Sequence, residues 1–182
     1  MGVRSAVFYL NEKTENDDRR KQMDKIYSQE RLKKKIDELR NEGKTIVFTN
    51  GCFDILHVGH TRYLREARKQ GDILVLGLNS DKSVKSLKGE KRPLIPEEER
   101  ADVVASLESI DYVTIFNEPT PLELIEYLKP HVLVKGGDWK KEDVVGRESV
   151  EKWGGRVAII PEIKGSSTTS IIEKVKKTYC RS

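Results

Sequence analysis

From Lys44 onward, short apolar runs alternate with longer stretches whose apolar residues recur every three or four positions, and no other pattern in the chain restricts its fold as much. The runs at 45–49, 72–78, 112–116, 131–135 and 156–160 read as strands. The intervening stretches near 58–69, 96–108, 120–128, 142–152 and 168–178 read as amphipathic helices. Strands that are apolar along their whole length, with a helix between each pair, require cover on both faces. A parallel sheet joined by right-handed crossovers meets that requirement. The expected fold is α/β: a Rossmann-like, doubly wound five-stranded parallel sheet with helices on both faces. Ligands of such sheets bind beyond the carboxyl ends of the strands, where the strand order reverses.

Ahead of this alternation, residues 11–27 are too polar to bury much surface, and 1–27 reads as an N-terminal arm or appendage to a main domain at 28–182. A further helix begins after Ser28, a capping residue, with Leu32, Ile36 and Leu39 at helical spacing and Gly43 to end it. The apolar positions of this helix and the arm point to a possible homodimer. Charged residues make up 35% of the chain and the net charge is +4. No dense basic block with interleaved aromatics occurs, which argues against a nucleic-acid partner and for a small anionic one. Two distant cysteines, Cys52 and Cys180, fit a reducing compartment better than a disulfide framework. No run has the length of a signal peptide's apolar core or of a membrane span, so the expected location is the cytoplasm, with no membrane partner.

Four clusters fall at the predicted strand ends. The first is Thr49-Asn50-Gly51-Cys52-Phe53-Asp54-Ile55-Leu56-His57-Val58-Gly59-His60, a loop between a strand and a helix N-terminus. Unpaired backbone N–H groups and the helix dipole make such a terminus an anion site. His57 and His60 share one face of the first turn and can converge on a ligand. A metal pair would need a third ligand from Cys52, Asp54 or His131, and a purely structural cap is the other alternative. Phosphate binding is favoured, because Gly59 permits close approach. Neither G-x-G-x-x-G after the first strand nor a Walker A loop is present, which excludes an ordinary dehydrogenase or P-loop kinase. Cys52 reads better as a small loop residue than as a nucleophile.

The second cluster, around Lys88, places five cations between Lys82 and Arg92 beside Gly89 and two prolines, and reads as a basic loop able to clamp phosphates. Glu97, Glu98 and Glu99 then open a helix that carries Arg100. The third, Lys135-Gly136-Gly137-Asp138-Trp139, offers paired glycines and an aromatic, either for a base and sugar or as a covered tight turn. The fourth, Gly165-Ser166-Ser167-Thr168-Thr169-Ser170, either caps the last helix or forms a second anion-binding terminus.

In this order the four clusters, with Asn79-Ser80-Asp81, resemble the H-x-G-H nucleotidylyltransferases, and within them the adenylyltransferases that make ADP-heptose for lipopolysaccharide. The resemblance covers about residues 30–178 and implies transfer of AMP from ATP to D-glycero-β-D-manno-heptose 1-phosphate, with release of pyrophosphate and a requirement for Mg2+. By the same resemblance His57, His60 and Lys88 are the catalytic candidates. Nucleotide contacts fall to Cys52, Phe53, Gly59, Arg92, Gly137, Asp138, Trp139, Ser167, Thr168 and Thr169. Asp54, Asn79 and Arg100 are candidates for the acceptor side, and no residue is assigned to a metal. Related cytidylyltransferases carry an arginine where this chain has Glu162, which weakens a reading as a CTP enzyme acting on glycerol 3-phosphate. A nucleotide-binding regulator without turnover is the other alternative. Many bacteria fuse this transferase behind a sugar kinase; 182 residues leave no room for one, so a separate kinase is implied.

Overall fold

A computed structural model describes residues 25–137, 140–161 and 167–180. Five strands form the sheet: β1 (Ile46–Gly51), β2 (Ile73–Asn79), β3 (Tyr112–Phe116), β4 (Val132–Gly136) and β5 (Arg156–Ile160). Their order is β3-β2-β1-β4-β5 and every pairing is parallel. The chain first builds outward through β2 and β3, then returns to place β4 on the other side of β1. The reversal therefore opens a crevice between the carboxyl ends of β1 and β4.

Seven α-helices occur among the described residues: α1 (Gln29–Asn41), α2 (Val58–Arg68), α3 (Asp81–Lys88), α4 (Glu97–Ala105), α5 (Leu122–Leu128), α6 (Arg147–Lys152) and α7 (Thr168–Tyr179). Successive side chains of a strand point to opposite faces, and here both faces are filled. Val47, Leu74, Leu76, Leu78 and Val134 pack with Leu64 and Ala67 of α2 and Val104 of α4. Ile46, Phe48, Val75 and Leu133 pack with Leu32 and Ile36 of α1, Leu124 and Leu128 of α5 and Val150 of α6. This double cover explains why the strands read as continuous apolar runs and not as alternating ones.

The strand expectations hold to within a residue or two at each end. The stretch beginning at Lys85 differs. Read as a basic loop, its first part is instead the last turn of α3, because Ser80 caps the helix by accepting from Ser83 N–H and Val84 is buried against the core. Eight residues with only two large apolar side chains carry too little periodicity to be recognised. The helix expected at 142–152 is a short 3-10 turn, Lys141–Asp143, followed by α6, with Gly146 at φ 87° between them.

On the N-terminal side the described structure begins before Ser28. Ile26 bridges Val113 in parallel, Tyr27 N–H donates to Val113 O at 2.9 Å, and Lys25 Nζ donates to Leu107 O and Ile110 O. Residues 1–24 of the expected arm lie outside the described residues. The apolar positions of α1 that suggested a dimer are buried in the protein's own core, so they offer no surface to a second copy.

Candidate active site

The turn that follows β1 is held in an uncommon backbone shape. Phe53 has φ 44°, a left-handed conformation that costs a bulky residue of order 1 kcal/mol or more. Its buried ring lies over Gly51, where an added Cβ would stand 2.8 Å from the ring. Two arginines fix the surrounding chain. Arg100, 1% exposed, donates to Cys52 O (2.6 Å), Asn79 O (2.9 Å), Ile95 O (2.9 Å) and the Asp81 carboxylate (2.7 Å). Asp54, 5% exposed, accepts from Arg92 Nε and from the N–H groups of Leu94 and Ile95. Burial pushes the Asp54 carboxyl up, but those N–H groups and the Arg92 guanidinium outweigh it and hold the group below the usual carboxylate range. One network thus binds the β1–α2 turn to the loop before α4.

The first turn of α2 presents the histidines. His57 is the N-cap, and its Nδ1 accepts from Gly59 N–H at 3.1 Å. A neutral ring accepting at Nδ1 carries its proton on Nε2, so that nitrogen is a donor. His60 stacks on His57 with ring centroids 3.8 Å apart and 28° between planes, and Phe53 lies against it at 5.1 Å. Burial, and secondarily the neighbouring His57, lower the His60 pKa to about 4. His60 is accordingly uncharged at neutral pH. Its Nδ1 is buried without a hydrogen-bond partner among the described residues.

A cleft of about 850 Å³ opens at the strand ends, and His57, Gly59, His60, Cys52, Phe53 and Gly137 all line it. Ser167 and Thr168 close one side. Ser167 caps α7 in a reciprocal pair with Ser170, which leaves the first N–H groups of that helix without partners inside it. Thr168 Oγ1 donates to Ile55 O at 3.4 Å, joining the start of α7 to the histidine turn. Two helix N-termini, those of α2 and α7, therefore meet at one cleft.

Other predicted residues lie elsewhere. Lys88 is exposed at the end of α3 and is not part of the cleft wall, although its charge reaches the Cys52 thiol. Burial raises the pKa of that thiol against the pull of Lys88, Arg100 and Arg92, leaving little thiolate for nucleophilic attack. Asn79 is buried and donates to Ser83 Oγ at 2.9 Å. Asn79, Asp54, Arg92 and Arg100 stand behind the turn, while Thr169 is exposed beyond the cleft wall. Asp138 and Trp139 lie outside the described residues, as do Glu162, Gly165 and Ser166. The third ligand that a metal pair would require is engaged elsewhere in two of three cases. Asp54 holds Arg92, and His131 Nδ1 accepts from Ile46 N–H at the opposite end of β1.

The structure also brings in residues that were given no role from sequence. Arg62, Arg65 and Lys69 line the rim from α2 and recur at helical spacing after the histidine turn, a signal that was open to reading. Lys135 reaches the cleft from β4 and donates to the Asn50 side-chain oxygen. Its signal was a lysine closing an otherwise apolar strand. Tyr63 shares a 2.6 Å hydrogen bond with Thr49 Oγ1, and burial raises its pKa to about 12.

Comparison with known proteins agrees with this geometry. Residues 48–174 match the family described as cytidylyltransferase-like. The bifunctional protein HldE of Pelobacter propionicus is 60% identical over 155 residues, which are 85% of this chain and 32% of that protein. HldE of Geobacter sulfurreducens is 63% identical over 138 residues, 76% of this chain and 28% of that one. The chain thus spans about a third of the length of these relatives. The crystal structure of the lipopolysaccharide core biosynthesis protein from Thermoplasma volcanium superposes with a TM-score of 0.55 at 29% identity, covering 68% of this chain and 100% of that one. With the H-x-G-H turn at the switch point of the sheet and the match running from β1 into α7, the chain belongs to the cytidylyltransferase-like family of nucleotidylyltransferases.

Proposed function

We propose that the chain is an adenylyltransferase that moves AMP from ATP to D-glycero-β-D-manno-heptose 1-phosphate, forming ADP-heptose and pyrophosphate in the cytoplasm. The observation that carries this reading is the meeting of two helix N-termini at one cleft, one bearing the stacked His57–His60 pair and the other joined to the same turn through Thr168. That arrangement suits a chain of phosphates. The roughly 60% identity to HldE proteins and the resemblance of the ordered motifs to ADP-heptose-forming enzymes supply the nucleotide and the acceptor. A sugar kinase activity upstream would provide the phosphorylated heptose.

An oxygen of the acceptor phosphate attacks the α-phosphorus of ATP. The new P–O bond forms as the bond from that phosphorus to the α,β-bridging oxygen breaks, and the electron pair leaves with pyrophosphate. No protein nucleophile is needed, in keeping with a Cys52 thiol that stays protonated. His57 and His60 act as neutral N–H donors toward the α-phosphate, where charge develops. Backbone N–H groups at Thr168 and Thr169 receive the β- and γ-phosphates, with Gly59 and Ser167 shaping the two helix starts that face them. Lys88 approaches from α3 to neutralise charge, while Arg92 and Arg100 hold the turn in register. Gly137, Asp138 and Trp139 take the base and ribose. Mg2+ neutralises the triphosphate when bound. Among the described residues the cleft wall carries one carboxylate, Glu66, and no group of three metal-ligating side chains is found, which fits an ion arriving on the nucleotide with its own waters.

The test is a pyrophosphate-release assay crossing ATP and CTP with heptose 1-phosphate and glycerol 3-phosphate. Release confined to ATP with heptose 1-phosphate is expected. Preference for CTP with glycerol 3-phosphate would replace this reading, and ATP binding without release from any acceptor would make the chain a regulator.

A further inference from the structure

Lys135 is an unusual occupant of its position. The three residues before it in β4 are buried and apolar, and it ends among protein groups at the crevice between β1 and β4. Its ammonium has one hydrogen-bond acceptor among the described residues, the Asn50 side-chain oxygen at the end of β1. An amide cannot balance a charge. Among the described residues the titratable group that acts on it is the Cys52 thiol, itself kept protonated by burial. Burial accordingly lowers the Lys135 pKa to about 8, close enough to neutrality that most of the population still carries its charge at pH 7.

A desolvated cation with no counter-ion among the described residues is costly, and methionine or leucine would fill the same space without that cost. A ligand that brings the missing anion accounts for the lysine. The other cations of the cleft, Arg62, Arg65 and Lys69, are exposed along α2 and already solvated, so they carry no such requirement. Two anions enter the cleft in the function proposed above. The triphosphate comes with Mg2+ and meets the N-termini of α2 and α7. The acceptor's phosphate monoester comes as a near-dianion with no metal of its own, and its counter-charge has to come from the protein.

We infer that Lys135 contacts the acceptor, its ammonium held in place by Asn50 and bonded to the phosphate of a phosphomonoester at the β1–β4 crevice. This rests on the adenylyltransferase reading and adds the residue that seats the attacking group. Asn50 is a positioning residue, since its oxygen directs the ammonium without touching substrate.

Lys135→Met and Lys135→Arg test it. With ATP saturating, K135M raises the acceptor KM about 10- to 100-fold, the loss of one charge-assisted hydrogen bond. Calorimetry of ATP without acceptor gives a dissociation constant within about twofold of the parent's. K135R recovers part of the acceptor affinity, and K135M melts no lower than the parent because it removes an unpaired charge. An unchanged acceptor KM overturns the inference, as does an equal weakening of ATP binding. If the parent releases no pyrophosphate with heptose 1-phosphate, the adenylyltransferase reading fails by itself, and the lysine is judged by calorimetry with glucose 1-phosphate and glycerol 3-phosphate. Binding to the parent that is lost in K135M then sustains the site, while equal binding to both proteins, or binding to neither, removes it.

Discussion

In the proposed transfer, the chemistry at the scale of single residues depends on keeping the His60 imidazole neutral. His60 is wedged between His57 and Phe53, which disfavours the imidazolium and leaves N–H donors that add no charge of their own. Replacing either His57 or His60 by alanine should lower kcat about 100- to 1,000-fold, the usual cost of losing one preorganised donor, with ATP binding much less affected. Stopped-flow pyrophosphate release on folded variants measures this. A stability effect accompanies the shift. With a folded pKa near 4 against an ordinary 6.5, the unfolded chain binds the extra proton first, so this contribution is intact above pH 6.5 and fades as pH falls toward 4. It amounts to roughly 1–3 kcal/mol, and urea titrations at several pH values should show a shallower acid limb in His60→Asn than in the parent. The histidine pair was legible from spacing alone, since three residues on a helix define a face. Lys135 was not, because a lysine at a strand end looks like ordinary solvation until the strand is seen to finish inside the crevice.

Among elements, the junction between β1, α3 and α4 decides where the histidine turn sits. Arg100 spends its donors on oxygens from the turn, the end of β2, the loop before α4 and the first residue of α3. The family resemblance made it a candidate for the acceptor side. A fully buried side chain whose donors are satisfied by protein has little left to offer a ligand, and only the assembled helices reveal that. Arg100→Leu leaves Asp81 and three carbonyls unpaired at once and should destabilise the fold by about 3–5 kcal/mol, read as a lowered urea midpoint at unchanged slope. The strands and most helices were readable because burial on two faces imposes long apolar runs. The helix α3 was missed because its identity depends on Ser80 capping and a single buried valine, both weaker than the charges that surround them.

For the whole molecule, the reversal of strand order puts the histidine turn and the end of β4 on either side of one crevice, so that Asn50 and Lys135, 85 positions apart, meet there. The walls of that crevice are not equally secured. Both sheet faces are sealed by cores, yet no side chain of α7 is buried among the described residues, and Val175 and Tyr179 are exposed. The helix proposed to face the departing pyrophosphate is thus joined to the rest by few contacts, Thr168 to Ile55 among them. Amide hydrogen exchange should find α7 among the fastest-exchanging helices and slowed by ATP, with the strands protected throughout. Uniform protection of α7 and the sheet without nucleotide would contradict this. In energetic terms few buried contacts tie α7 down, so in the proposed reaction product departure can proceed by a local opening of that helix that never draws on the global unfolding barrier.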